Sequence, residues 1–237
     1  MKIALLGYGK MGHEVEKIAI EHGHSIELII DNENDWAEKA GQLKNCDVAI
    51  EFSIPSISVE NMRRCFEIQI PVVVGTTGWY DQLQHITELC KSSNGTFFYA
   101  SNFSIGVNIF FDINRRLAGL LEDYPMYLPA LTEIHHTQKL DAPSGTAITL
   151  ANDIIASNSR FKNYSDAVAI PGEIPIKSIR EGNVTGTHII AWSSDIDQII
   201  ITHEARSRVG FAIGAVMAAS WVQGRKGVFS MKEMLNL

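Results

Sequence analysis

The sequence predicts an α/β protein of two domains: an N-terminal parallel sheet flanked by helices, then an α+β domain with a mixed or antiparallel sheet. Three observations predict it. Over the first hundred residues, short aliphatic or β-branched runs alternate with segments of helical spacing. Beyond Ala100 the alternation stops, and several strand-like runs follow one another without a helix between them. A glycine-rich turn, Gly7-Tyr8-Gly9-Lys10-Met11-Gly12, joins the first apolar run to the first helical segment.

Taken in order, strands are expected at residues 2–6, 25–31, 47–52, 71–74 and 96–100. Helical spacing appears at Met11, Val15, Ile18 and Ala19, at Val59, Met62, Cys65 and Phe66, and at Leu83, Ile86, Leu89 and Cys90. Parallel strands need crossovers of this length. Residues 32–45 are short and polar, and a full helix is not expected there. A longer helix is expected at 104–121, with Val107, Phe110, Phe111, Asn114, Leu117, Ala118 and Leu121 near one face. A strand at 130–137 and a helix at 145–156 follow, the helix facing the core with Ala147, Ile148, Ala151, Ile154 and Ile155. Runs at 174–179, 184–192 and 196–203 suggest antiparallel pairing. Residues 214–223 are apolar enough for a final buried helix. The domains are therefore placed at 1–103, completed by a C-terminal helical segment 209–237, and at 104–208.

Composition sets outer limits. At 237 residues the chain suits one large domain or two small ones. Its 46 % hydrophobic and 20 % charged residues are those of an ordinary globular protein, which argues against disorder. A net charge of −7 argues against a nucleic-acid-coating surface. No apolar stretch approaches the roughly 20 residues that span a bilayer. Cys46, Cys65 and Cys90 are odd in number and lack CxxC spacing, so no disulfide framework or thiolate site is expected. A soluble, cytoplasmic protein that binds neither membrane nor nucleic acid is the expectation. Trp79, Trp192 and Trp221 are read as packing residues.

In a GxGxxG turn the first glycine permits the tight bend, the second lets backbone approach a pyrophosphate, and the third lets helix and strand close up. The helix N-terminus offers unpaired N–H groups to the phosphates. Asp31 closes the second strand, where an acidic side chain accepts from an adenosine ribose. Its carboxylate repels a 2′-phosphate, so NADH is the favoured donor; Lys10 and Lys39 leave NADPH open. Gly75-Thr76-Thr77-Gly78 follows the fourth strand and belongs on the same side of a Rossmann-like sheet, either as a ligand loop or as a turn with Thr76 or Thr77 as helix cap.

Glu133-Ile134-His135-His136-Thr137-Gln138-Lys139-Leu140-Asp141-Ala142-Pro143-Ser144-Gly145-Thr146-Ala147 carries the chemistry. Neighbouring histidines on a strand point to opposite faces, and no HExxH or third ligand accompanies them, so no metal site is expected. A cationic array of His135, His136 and Lys139 before a helix suits an anionic substrate. Proline favours the first turn, Ser144 or Thr146 can cap, and Gly145 admits an oxygen-bearing ligand to the backbone.

These segments, with Ala100-Ser101-Asn102-Phe103-Ser104-Ile105-Gly106-Val107-Asn108, Arg180-Glu181-Gly182-Asn183-Val184-Thr185-Gly186-Thr187-His188 and Ile201-Thr202-His203-Glu204-Ala205-Arg206-Ser207-Arg208, resemble the 4-hydroxy-tetrahydrodipicolinate reductase (dihydrodipicolinate reductase) family over essentially the whole chain. The resemblance implies reduction of the cyclic product of dihydrodipicolinate synthase to tetrahydrodipicolinate, with NADH or NADPH, on the diaminopimelate route to lysine. It implies His135 as acid/base residue, Lys139 as catalytic lysine, and substrate contacts at His136, Gly145 and Thr146; Ser144 is a further candidate for substrate contact. It places the cofactor at Gly7, Tyr8, Gly9, Lys10, Met11, Gly12, Asp31, Gly75, Thr76, Thr77, Ala100, Ser101, Asn102 and Phe103. Arg208 is a further candidate for cofactor contact. A homotetramer built through the second sheet is also implied. Because substrate and cofactor would be held by different domains, closure about hinges near Ser104 and Arg208 is expected. Two departures stand out: the segment between Asp31 and Asp47 is short, and Ser101 stands where proline is common.

Two other readings fit parts of the chain. A two-domain dehydrogenase of aspartate or homoserine type shares the glycine turn and Asp31 but not the array before Ser144. A non-catalytic NADH-sensing protein would need an effector module, for which this chain has neither length nor charge.

Overall fold

A computed structural model of the chain describes residues 1–166, 168 and 170–237. They divide into two compact units, Met1–Ile105 with Val209–Leu237, and Gly106–Arg208.

The first unit holds β1 (Lys2–Leu6), α1 (Lys10–Glu21), β2 (Ser25–Ile30), α2 (Glu33–Lys39), β3 (Val48–Glu51), α3 (Pro55–Glu67), β4 (Val72–Val74), α4 (Leu83–Ser92) and β5 (Thr96–Tyr99). The strands form a parallel sheet whose order ends β5-β4-β3-β1-β2. Alternate strand residues enter opposite cores. Ile3, Leu5, Val48, Ile50 and Phe98 share one core with Val15, Ile18 and Ala19 of α1, whereas Ala4, Leu6, Ala49, Val72, Val74 and Phe97 share the other with residues of α3 and α4. Covering both faces explains why these strands read as continuous apolar runs.

Residues 32–45 depart from expectation. Asn32 accepts a hydrogen bond from Asp35 N and caps α2, and a 3-10 turn, Ala40–Asn45, follows. Buried Trp36 anchors this polar segment, with its indole N–H on Asn61 Oδ1 and the Arg64 guanidinium over its ring. One apolar anchor and one cap thus hold a helix that amphipathic spacing did not announce.

In the second unit, α5 (Ile105–Leu120, which begins at the unit boundary), β6 (Leu128–His135), α6 (Gly145–Ser157), β7 (Asn163–Asp166), β8 (Glu173–Arg180), β9 (Thr187–Ser193) and β10 (Gln198–Glu204) build a mixed sheet of order β10-β9-β6-β8-β7. β9 and β10 pair antiparallel, as expected. β8 does not join them: it lies parallel to β6, on the side of β6 away from β9, and β7 lies parallel to β8. One sheet face packs on α5 and α6 through Phe110, Ala118, Leu131, Leu150, Ile154, Ile176 and Trp192. Leu150, rather than the expected Ile148, takes the core position on α6. Asn114 donates to Leu150 O and ties the two helices.

The chain then returns to the first unit. α7 (Val209–Trp221) packs with α1 on one sheet face, and its Gly214 lies so near Phe103 that a Cβ would stand 1.9 Å from the Phe103 carbonyl oxygen. The C-terminal segment is not one helix: β11 (Gly227–Phe229) extends the parallel sheet beside β5, and α8 (Met231–Leu235) ends the chain behind a capping box at Ser230. Trp79 and Trp192 are buried, and Trp221 packs on Phe98 and Phe229. No helix among the described residues is long and apolar enough to cross a membrane.

Candidate active site

In the first unit the turn after β1 puts Gly7 in the left-handed region at φ +92, where a Cβ would stand 2.3 Å from the Phe52 carbonyl oxygen. A Cβ on Gly12 would meet the Gly7 carbonyl oxygen at 2.6 Å, so only glycine lets α1 close on the turn. Gly9 differs: it caps α1 without a side-chain hydrogen bond, and its Cβ position opens on space. The first N–H groups of α1 therefore face that space with no side-chain acceptor, which fits a pyrophosphate. A groove of about 470 Å³ runs past Gly9, Lys10, Met11, Ser53, Thr76 and Thr77. It brings the glycine turn and the loop after β4 together, as the sequence anticipated.

Asp31 is exposed at the end of β2, and its Oδ1 accepts Tyr8 N at 2.6 Å, so the carboxylate is fastened to the glycine turn. Lys39 is held by Asp35 at 2.6 Å. Thr76 is buried and its hydroxyl accepts from Ser53 N at 2.8 Å; Thr77 is exposed. Neither threonine caps a helix: a 3-10 turn, Tyr80–Gln82, begins after Trp79. Beyond β5, Ala100 and Phe103 are buried, Ser101 is exposed, and Asn102 accepts from Ser104 N at 2.9 Å. The Phe103 ring packs against Phe52 and Phe98, and its carbonyl lies against Gly214 of α7. Arg208 is exposed immediately before α7. Sequence reasoning missed Glu51, a fully buried carboxyl at the end of β3 that receives Ser53, Ser58 and Asn61. Burial pushes it above the ordinary carboxylate range against those hydrogen bonds. A charged residue ending an otherwise apolar strand was its signal.

In the second unit, β6 alternates so that Leu131, Glu133 and His135 share the buried face. The sheet register sets Glu133 between Ser178 on β8 and His188 on β9, and His135 beside Arg180. Glu133 Oε1 accepts Ser178 Oγ at 2.7 Å and Arg180 Nη2 at 3.0 Å, and Ser144 N reaches both carboxylate oxygens at 3.1 Å. Burial raises the Glu133 carboxyl, but the bonds from Ser144, Ser178 and Arg180 together leave it below its ordinary range. Ligand-type atoms of Glu133, His135 and His188 lie within 4.8 Å of one another, a third partner the sequence did not foresee. The Arg180 guanidinium already supplies that cluster's positive charge. Burial lowers His135, helped by Lys139 and Arg180 and opposed by Glu133 and Asp141, and it pushes His188 down to about 4.

The loop between β6 and α6 carries the remaining candidates. Lys139 Nζ lies 2.8 Å from both Asp141 oxygens, and Arg180 holds this loop through the carbonyls of Lys139 and Asp141. His136 is half-buried, outside the Glu133 cluster. Pro143 precedes the helix rather than opening it. Ser144 is the cap: its hydroxyl accepts from Ala147 N at 3.2 Å and lies 3.2 Å from His188 Nε2. Gly145 and Thr146 begin α6, and their N–H groups are first-turn donors with no acceptor inside the helix.

A parallel sheet with a glycine turn at its first helix, continued by an α+β unit, is the plan of a two-domain pyridine-nucleotide oxidoreductase. Residues 1–103 match the family model for the N-terminus of dihydrodipicolinate reductase, and residues 106–235 match that for its C-terminus. The chain belongs to the dihydrodipicolinate reductase family. It is 47 % identical to the 4-hydroxy-tetrahydrodipicolinate reductase of Christiangramia forsetii, over 100 % of this chain and 98 % of that one. It is 33 % identical to the Akkermansia muciniphila enzyme of the same name, over 97 % and 95 %. Among solved structures, the dipicolinate-bound dihydrodipicolinate reductase of Paenisporosarcina sp. TG-14 shares the fold, with a TM-score of 0.76, 24 % identity and 99 % of each chain covered.

Proposed function

We propose that this chain reduces the cyclic product of dihydrodipicolinate synthase to tetrahydrodipicolinate with a reduced nicotinamide dinucleotide, NADH in preference to NADPH. The observation that carries the reading is the Lys139–Thr146 loop. It sets a cation, Lys139, and the open first turn of α6 next to the strand end bearing His135 and His136, a combination that suits a small cyclic dicarboxylate. Kinship with the named reductases at up to 47 % identity supports it, and gives no ground for an aspartate- or homoserine-type dehydrogenase or a sensor.

The glycine turn and the first N–H groups of α1 would hold the pyrophosphate, with Asp31 toward the ribose and Lys10, Thr76, Thr77 and the 100–103 segment along the remainder. NADH is favoured because Asp31 carries negative charge where a 2′-phosphate would sit, and because Lys39 is committed to Asp35. When bound, the reduced nicotinamide supplies a hydride to an electron-poor carbon of the unsaturated ring. Gly145 and Thr146 N–H groups and Lys139 hold a substrate carboxylate, with His136 and Ser144 beside them. The substrate's hydroxyl leaves as water, which gives the unsaturated ring; His135 then delivers the proton that balances the added hydride, and solvent restores it. Free His135 is held low by burial; a dianion entering beside it favours the charged imidazole, so the acid forms where it is used. The outward sheet face, with Leu128, Ala130, Ala191 and Ile200, supports assembly into a homotetramer. A cytoplasmic setting accords with such a biosynthetic reductase.

Loss of reduced-nicotinamide absorbance with freshly made synthase product tests the activity. Turnover with that product is expected. Oxidation only by aspartate semialdehyde or oxaloacetate, or binding of NADH without turnover, contradicts it.

A further inference from the structure

Glu133 is fully buried, and its two oxygens are unequally served. Oε1 takes Ser178, Arg180 and Ser144 N; Oε2 takes Ser144 N and otherwise faces two histidines, with His135 Nδ1 at 3.3 Å and His188 Nε2 at 3.9 Å. His135 Nδ1 is buried and has no hydrogen-bond partner, so Glu133 Oε2 is the acceptor it can reach by a small turn of the ring. The other ring nitrogen, Nε2, lies against Gly186, where an added Cβ would stand 3.1 Å away. His135 is thus bounded by a buried anion on one side and, on the other, by space that exists because residue 186 has no side chain.

We propose that Glu133 is a positioning residue for the reaction: it holds His135 with Nδ1–H turned toward the carboxylate, so that Nε2 is the atom that gives up the proton. The inference rests on the acid role of His135 proposed above. His188 keeps the arrangement unambiguous. It is buried, its pKa is pushed down to about 4, and its Nε2 meets the Ser144 hydroxyl, so near pH 7 it does not compete as a second cation beside Glu133. The groups facing His135 are Glu133 on its own strand, Arg180 from β8, His188 from β9, and Lys139 and Asp141 from the loop. Of these, only the two carboxylates favour a charged imidazole, and Asp141 is exposed and tied to Lys139. Removing Glu133 leaves the two cations and burial to prevail, and frees the ring to turn.

Two measurements decide it. In the unaltered chain, two-bond proton–nitrogen correlation spectra of labelled histidines, assigned with His135→Asn, should show neutral His135 as the Nδ1–H tautomer; an Nε2–H tautomer overturns the proposal. In Glu133→Gln, the high-pH limb of kcat/KM should move to lower pH by about one unit, since an opposite charge at this range shifts a group by roughly 1–3 units. NADH affinity should stay unchanged. A limb that stays in place in a folded Glu133→Gln protein overturns the proposal, and the tautomer decides if that variant fails to fold. His135→Ala separates the two ideas: full kcat without the imidazole removes the acid role itself, whereas loss of kcat with an unmoved limb in Glu133→Gln removes only the role of Glu133.

Discussion

The Ser144 backbone N–H donates to both carboxylate oxygens of Glu133, 3.1 Å from each. That fork pins the start of α6 to the middle of the second sheet, so the N–H groups of Gly145 and Thr146 stand at a set distance from the strand that carries His135. The Ser144 hydroxyl completes the junction by capping Ala147 N and meeting His188.

Ser144→Ala keeps the backbone fork and removes the cap. It should cost about 1 kcal/mol of stability, the usual value of a serine N-cap, and raise KM for the dicarboxylate more than it lowers kcat. Urea unfolding and steady-state kinetics on one preparation check both parts; equal stability and equal KM would remove the junction from the account.

Gly186→Ala places a methyl group 3.1 Å from His135 Nε2, and the imidazole must give way by a few tenths of an ångström. kcat/KM for the dicarboxylate should fall about tenfold or more, as misplacement of a reacting group does. NADH affinity, measured by fluorescence titration, should not change.

His188 has an ordinary value of 6.5 and is pushed down to about 4 in the folded chain. Its folded value lies below its unfolded one, so the unfolded chain takes up the extra proton first. Stability is therefore complete above pH 6.5 and declines as pH falls toward 4, by at most about 3 kcal/mol for this group. His24, His135 and His203 are lowered too and act in the same direction. His188→Asn should reduce, without abolishing, the loss of urea midpoint between pH 7 and pH 4.5; an undiminished loss would show that His188 is not a source of it.

Asp31→Ser should shift the ratio of kcat/KM for the two dinucleotides toward NADPH, because the repelling carboxylate is gone. It also removes the bond from Tyr8 N, so some loss of NADH affinity should accompany the shift. An unchanged ratio would place discrimination elsewhere.

The parallel half of the fold was legible because β1, β3, β4 and β5 are buried on both faces over almost their whole length, and α1, α3 and α4 each carry a clear apolar stripe. The first strand falls at residues 2–6 as expected. What escaped were elements held by single contacts: α2 by Trp36 and the Asn32 cap, β7 and β11 by pairing with a neighbour. The place of β8 escaped because local sequence does not say on which side of β6 a strand will lie. Likewise the loop from Lys139 to Thr146 was readable as a site, whereas its support was not. Glu133 meets Ser178 and His188 across 45 and 55 positions of chain, through strand register alone. The available signal was period-two spacing, which puts Glu133 on the same buried face as Leu131 and His135.

A crystal structure with NADH and pyridine-2,6-dicarboxylate, a planar mimic of the substrate, tests the account most directly. The dianion should lie with one carboxylate on the N–H groups of Gly145 and Thr146 and on Lys139, with His135 Nε2 within hydrogen-bond distance of it. A dianion bound elsewhere, with that place left to solvent, would contradict the account.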